Sequence, residues 1–203
     1  MKNNFGLYLI LTDPVAGYET SAKAAVEAGV DFLQLRMKNA PEKEILKKAH
    51  ALRAITKGTA TKLIINDSVF IAKEVDADGV HLGQEDMDIN EARKIWPVPE
   101  KIFGLSTHGE AQEKAARALK PDYIGVGPIF ATPTKETADP PLGLTRMEAI
   151  IKASPFICVV LGGIKPDNLK DVLAAGAKNF AVVSAVTQSM NPLKAIRTLQ
   201  EIC

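Results

Sequence analysis

Short apolar runs, amphipathic stretches between them, and polar residues gathered at one end of nearly every run together predict an α/β fold, a single (β/α)8 TIM barrel. The runs fall at 5–11, 32–37, 62–65, 79–82, 102–105, 123–126, 156–161 and 180–183. Strands that are apolar almost throughout belong to parallel sheets covered on both faces, and a helical stretch follows each run, as a parallel crossover requires. Eight such units in 203 residues average roughly 25 residues each, the size of a compact βα unit.

Taken in order, strand 1 (5–11) leads to a helix over 21–28, which Ala28-Gly29 stops before strand 2. The helix over 42–55 precedes strand 3, and the helix over 69–75 ends at Ala77-Asp78-Gly79, read as the stop before strand 4. Helices over 89–95, 110–119 and 145–153 separate strands 4 to 7. The helix over 168–175 stops at Ala175-Gly176 before strand 8, and a last helix covers 192–202. No linker, low-complexity tract or shift in composition divides the chain, so one catalytic domain over 1–203 is expected. An open doubly wound sheet competes, but no Gly-x-Gly-x-x-Gly opens a helix and no Walker sequence is present.

Composition narrows the function. Hydrophobic residues at 46% and charged residues at 24% are ordinary for a globular protein, and a net charge of +1 argues against a nucleic-acid partner. No apolar run approaches the ~20 residues needed to cross a bilayer, and the N-terminal residues lack a signal-peptide pattern. Cys158 and Cys203 form neither a disulfide framework nor a metal-ligand spacing. A cytoplasmic protein acting on small molecules is expected; a homo-oligomer is compatible with the sequence.

In a barrel of this kind sites lie at the C-terminal ends of the strands, which is where the polar residues collect. Strand 6 is stopped by Gly127-Pro128 and opens into a long connection with four prolines, Thr132, Thr134 and Lys135. Its hydroxyls and ammonium suit a phosphate, although alone it reads equally as a solvated connection. Its prolines and Gly143 suggest a lid over 130–142 that orders on binding.

Gln34, Arg36 and Lys38 alternate along strand 2 and so share a face, placed at the lumen mouth because charges against apolar helices would be costly. Asp67 and Asp86 close strands 3 and 4. Two carboxylates beside an Arg/Lys clamp fit Mg²⁺, which takes its other ligands from water and substrate phosphates; each aspartate could instead cap the following helix. Gly162-Gly163-Ile164 and Val183-Ser184 suit a second phosphate approached by backbone N–H groups. His81 is placed near the site by position, His108 has no zinc-type partners in sequence, and His50 belongs on the surface. A diphosphate ester beside a phosphate ester on one barrel suggests group transfer with pyrophosphate leaving.

At this point the chain resembles the thiamine-phosphate synthase (thiamine monophosphate pyrophosphorylase) family, from Leu7-Tyr-Leu-Ile-Leu-Thr-Asp13 to Val182-Val-Ser-Ala-Val186. The resemblance is carried by Gln34-Leu-Arg-Met-Lys38, Ile64-Ile-Asn-Asp67, Asp78-Gly-Val-His-Leu-Gly-Gln-Glu-Asp86 and Gly104-Leu-Ser-Thr-His108. The stretch 122–135, Gly162-Gly-Ile164 and strand 8 complete it. It implies a Mg²⁺-dependent transferase of thiamine biosynthesis that joins a hydroxymethylpyrimidine diphosphate to a thiazole phosphate by dissociative loss of pyrophosphate. It further implies that Arg36, Lys38, Asn66, Ser106 and Lys135 hold the leaving pyrophosphate, and that Asp67 and Asp86 hold the metal. Gln34 and His81 would line the pyrimidine pocket, and Thr132, Thr134, Gly163, Val183 and Ser184 would hold the thiazole phosphate. Ser68 and Leu161 depart from the family pattern without touching these positions. The rival readings are the related thiazole tautomerase, which tends to lose the metal aspartates and the loop lysine, and a non-catalytic barrel binding a phosphorylated ligand.

Overall fold

The structure, a computed structural model, describes residues 3–132 and 140–203. Strands β1 (Gly6–Leu11), β2 (Phe32–Leu35), β3 (Lys62–Asn66) and β4 (Gly79–Leu82) are followed by β5 (Ile102–Thr107), β6 (Tyr123–Val126), β7 (Ile157–Leu161) and β8 (Asn179–Val182). They pair in chain order, all parallel, and β8 returns to β1 to close the barrel. The register is continuous around the wall: Ile10 stands opposite Gln34, Gln34 opposite Ile64, and Ile64 opposite Gly79.

The helices between them are α1 (Tyr18–Glu27), α2 (Glu42–Thr56), α3 (Val69–Glu74), α4 (Ile89–Ile95), α5 (Glu110–Leu119), α6 (Gly143–Ala153) and α7 (Leu169–Ala174). A short α8 (Ser184–Thr187) and then α9 (Pro192–Gln200) follow β8. The sequence reading contains no counterpart of α8, which is too short for a 3.6-residue pattern to register. Two boundaries also move. β2 ends at Leu35, so Arg36 and Lys38 lie beyond the strand and not on it, although Arg36 N–H still bonds Leu11 O at 3.0 Å. The stop before β4 is not Gly79, which is a strand residue: the left-handed residue is Asp76, with φ 51°.

The near-continuous apolar runs are explained by two cores. Leu7, Leu9 and Leu11 of β1 and Leu33 and Leu35 of β2 pack outward with the helices, whereas Tyr8, Ile10 and Phe32 fill the barrel with Ile64, Tyr123, Val159 and Ala181. Successive residues thus alternate between two buried faces, both apolar. Three polar residues at the bottom of even-numbered strands lock neighbouring strands together. Asp78 accepts from Leu63 N–H (2.9 Å), Asp122 from Phe103 N–H (2.8 Å), and Asn179 from Phe5 N–H (2.7 Å). Asp78 is further held by Arg53 at 3.0 Å.

Inside, large rings need empty places opposite them. Tyr8 packs against Phe32 (centroids 5.6 Å apart) and Tyr123 (5.9 Å), and the Tyr123 ring occupies the space that a side chain at Gly104 would take. A Cβ on Gly104 would stand 2.2 Å from Tyr123 Cζ. Gly104→Ala is therefore expected to destabilise the barrel by about 1–3 kcal/mol, the usual range for overpacking. Urea unfolding measures this, and an unchanged midpoint would show that the Tyr123 ring can move aside at no cost.

Candidate active site

The C-terminal ends of the strands form one cleft, lined by Arg36 above β2, Ser106 of β5, Gly127 and Thr132 after β6, Gly163 after β7, and Ser184 at the start of α8. It divides into two sides of different chemistry.

On the side of β2 to β5, Asp67 follows the last residue of β3 in the left-handed region (φ 64°), and its carboxylate pairs with Lys38 Nζ. Asp67 is not the cap of α3; Ser68 is, accepting from Ile71 N–H at 3.2 Å. Asp86 is likewise not a cap, since Asp88 serves α4. Asp86 instead folds back to accept from Gly83 N–H at 2.6 Å and faces Asp67. Burial, then the hydrogen bond to Asp67, then its negative charge raise the Asp86 carboxyl above its ordinary value; Gly83 and Lys38 oppose this. Two carboxylates pressed together, one reluctant to ionise, suit a hard dication that relieves their repulsion. Among the described residues no third His, Cys, Asp or Glu joins them. A site of this kind leaves the remaining positions to water and ligand phosphate, which fits Mg²⁺ rather than zinc.

Arg36 lines the cleft, and no ion pair joins it to another described residue. Asn66 ends β3 opposite His81. Below them, inside the barrel, Gln34 is 2% exposed and His81 9%. Gln34 Nε2 donates to Tyr8 Oη (2.9 Å), Tyr8 Oη meets Tyr123 Oη (2.9 Å), and Tyr123 Oη meets His81 Nδ1 (2.9 Å). His81 Nε2 then reaches Ser106 Oγ at 2.9 Å. Both phenols are pushed up by burial and keep their protons.

On the side of β6 to β8 the backbone comes forward. Gly162 and Gly163 have φ 102° and 66°, and a Cβ on either would stand 2.6 Å from Pro128 or 2.8 Å from Phe130. These two positions need glycine both for conformation and for space. Phe130 N–H bonds Gly162 O at 3.0 Å, tying the loop after β6 to the double glycine. Val183 is the N-cap of α8 and Ser184 its first residue; Val183 O accepts from Val186 N–H (3.0 Å) and Thr187 N–H (2.9 Å).

The fold thus gathers Gln34, Arg36, Lys38, Asn66, Asp67, His81, Asp86, Ser106, Thr132, Gly163, Val183 and Ser184 at the upper barrel and its rim. Thr134 and Lys135, with most of the expected lid, fall in 133–139, outside the described residues. His50 is exposed, as expected. His108 lines the cleft and donates from Nδ1 to Gly127 O at 2.8 Å. Sequence reasoning passed over Tyr8 and Tyr123 because each sits inside an apolar run. The signal available was the pairing of large rings with glycine, Tyr123 standing beside Gly104 in register.

Comparison with known proteins decides the family. The model of the thiamine monophosphate synthase family matches residues 7–186. The chain belongs to this family. Thiamine-phosphate synthase of Moorella thermoacetica is 38% identical over 199 residues, covering 97% of this chain and 94% of that one. The protein of the same name from Vibrio parahaemolyticus is 39% identical, covering 97% of each. Thiamine phosphate pyrophosphorylase from Pyrococcus furiosus superposes with a TM-score of 0.88 at 34% identity, covering 98% of this chain and 96% of that chain. A 3-hexulose-6-phosphate synthase shares the barrel at 19% identity (TM-score 0.68), a likeness of fold alone. Among the described residues no helix is long and apolar enough to cross a membrane.

Proposed function

We propose that this chain is a thiamine-phosphate synthase: it joins a hydroxymethylpyrimidine diphosphate to a thiazole phosphate, giving thiamine phosphate and pyrophosphate. The observation that carries this reading is that one end of the barrel holds both a rim where Lys38 pairs with Asp67 and a glycine-backed cleft that Arg36 lines. The first suits a diphosphate and the second a monophosphate.

In this reading the bond from the pyrimidine methylene to the diphosphate oxygen breaks first, and its electron pair leaves with pyrophosphate. The thiazole nitrogen then donates its lone pair to the methylene carbon. No side chain has to take a proton in these steps. Arg36, Lys38 and Ser106 stabilise charge that grows as the diphosphate departs, so they act most strongly at the transition state. Gln34 and His81 line the interior below them and orient the pyrimidine. Gly163, Val183 and Ser184 hold the thiazole phosphate through backbone N–H groups, with Thr132 on the facing loop. Thr134 and Lys135 belong to the same loop and complete the anion contacts in this proposal. Asp67 and Asp86 would hold Mg²⁺, which when bound supplies charge neutralisation for the leaving pyrophosphate. The tautomerase alternative fits less well because Asp67 and Asp86 are both present and brought face to face.

The test is direct. Purified protein with both substrates and Mg²⁺ is expected to release pyrophosphate and form thiamine phosphate in equal amounts. Folded protein that forms neither product overturns the proposal.

A further inference from the structure

The buried chain from Gln34 to Ser106 spans β2, β1, β6, β4 and β5 and crosses the barrel interior. Its chemistry is a counting problem. Each phenol has one proton to donate, a neutral imidazole has one, and a carbonyl or a bare ring nitrogen can only accept. Gln34 Nε2 donates to Tyr8 Oη, so the Tyr8 proton goes on to Tyr123 and the Tyr123 proton goes on to His81 Nδ1. His81 Nδ1 must then be bare and its proton must sit on Nε2, donating to Ser106 Oγ. Ser106 is left accepting from below, with its own hydrogen directed elsewhere; its Oγ lies where the cleft begins.

The opposite direction is self-consistent too, with the Gln34 amide turned over and a proton on His81 Nδ1. In that arrangement Ser106 donates downward and presents only lone pairs to the cleft, which would repel an anion. The packing reinforces the order. The Tyr123 ring stacks on His81 with centroids 5.5 Å apart and planes 24° apart, in space opened by Gly104, so the two rings cannot swing apart independently.

We propose that Tyr123 is a positioning residue: through His81 it fixes the imidazole as the Nε2–H tautomer and so holds Ser106 as a hydrogen-bond donor to the anion in the cleft. Both parts rest on the function proposed above, because the anion that Ser106 faces is what tells the two directions of the chain apart. This role differs from simple lining of a pocket because Tyr123 acts two groups away from the ligand. It also assigns a reason for a phenol, not a phenylalanine, at this buried position.

Nitrogen-15 labelling of histidine in the full chain, read by long-range proton–nitrogen correlation, tests the tautomer. Two of the three histidines then check each other, because His108 donates from Nδ1 to Gly127 O and has the opposite tautomer to the one assigned to His81. The expected spectrum has His81 protonated on Nε2 and His108 on Nδ1. Tyr123→Phe is expected to leave His81 as a mixture of tautomers and to lower kcat by roughly tenfold, the equivalent of one well-made hydrogen bond. In a Ser106→Ala background the same change is expected to lower kcat by less than about twofold, because the group it positions is gone. A wild-type His81 protonated on Nδ1 overturns the proposal, and this result needs no variant to fold. A Tyr123→Phe protein with an unchanged His81 spectrum also overturns it, as does an equal loss with and without Ser106. If His81 is on Nε2 but no thiamine phosphate forms under any condition, the function proposed above fails while the tautomer assignment stands.

Discussion

Arg36→Ala is expected to lower kcat/KM for the condensation by about 10²–10³, the range found when one donor to developing negative charge is removed. Arg36 lies one residue past β2, yet its N–H continues the ladder to Leu11 O at 3.0 Å, so the Cα is held whatever the side chain. Truncation therefore removes the guanidinium from the cleft and leaves the wall in place. Unfolding free energy should stay within about 0.5 kcal/mol of wild type, as for a half-exposed residue without buried partners. Lys38 cannot substitute fully, because its ammonium is already engaged by Asp67. Arg36→Lys keeps a charge but loses the planar fork, and it should recover only part of the rate. Measuring pyrophosphate release for the three proteins decides the matter: a loss below threefold in Arg36→Ala would place the leaving group elsewhere.

The reason this residue could be singled out from sequence is instructive about the rest. Strand and helix order was legible because both strand faces are buried, which made each strand a short solid apolar run. Asp67 and Asp86 were legible as strand-end carboxylates, but not their mutual contact. That contact depends on the left-handed turn at Asp67 and on Asp86 folding back to Gly83, neither of which has a period in the sequence. The interior chain was half legible. Gln34, His81 and Ser106 stand out as polar residues at strand ends, whereas Tyr8 and Tyr123 look like core aromatics until the register aligns them. The short α8 was invisible because four residues give no periodicity, even though Ser184 was marked by its place after strand 8. Sequence reading therefore finds which strand ends carry chemistry, while the pairings across strands come from shear and turn geometry.

Asp86→Asn is expected to abolish most Mg²⁺-dependent activity while leaving the melting temperature at pH 7 no lower than that of wild type. The two halves of this expectation share one cause. The Asp86 carboxyl is held above its ordinary value first by burial and then by Asp67. A carboxyl raised by folding contributes stability that is present below its unfolded value, about 3.9 for aspartate, and lost as pH rises through the folded value. At neutral pH the ionised pair is thus a liability that the fold tolerates, and the neutral amide removes it while still accepting from Gly83 N–H. The difference in melting temperature between variant and wild type should shrink as pH falls towards about 4, where the wild-type carboxyl also becomes neutral. Mg²⁺ should raise the melting temperature of wild type by mass action and have little effect on Asp86→Asn. A variant that keeps the full Mg²⁺-induced rise and full activity would show that the two aspartates do not hold the ion. A variant that melts well below wild type at pH 7 would show instead that the Asp86 charge stabilises the turn back to Gly83, and the strain assigned to the pair would be wrong.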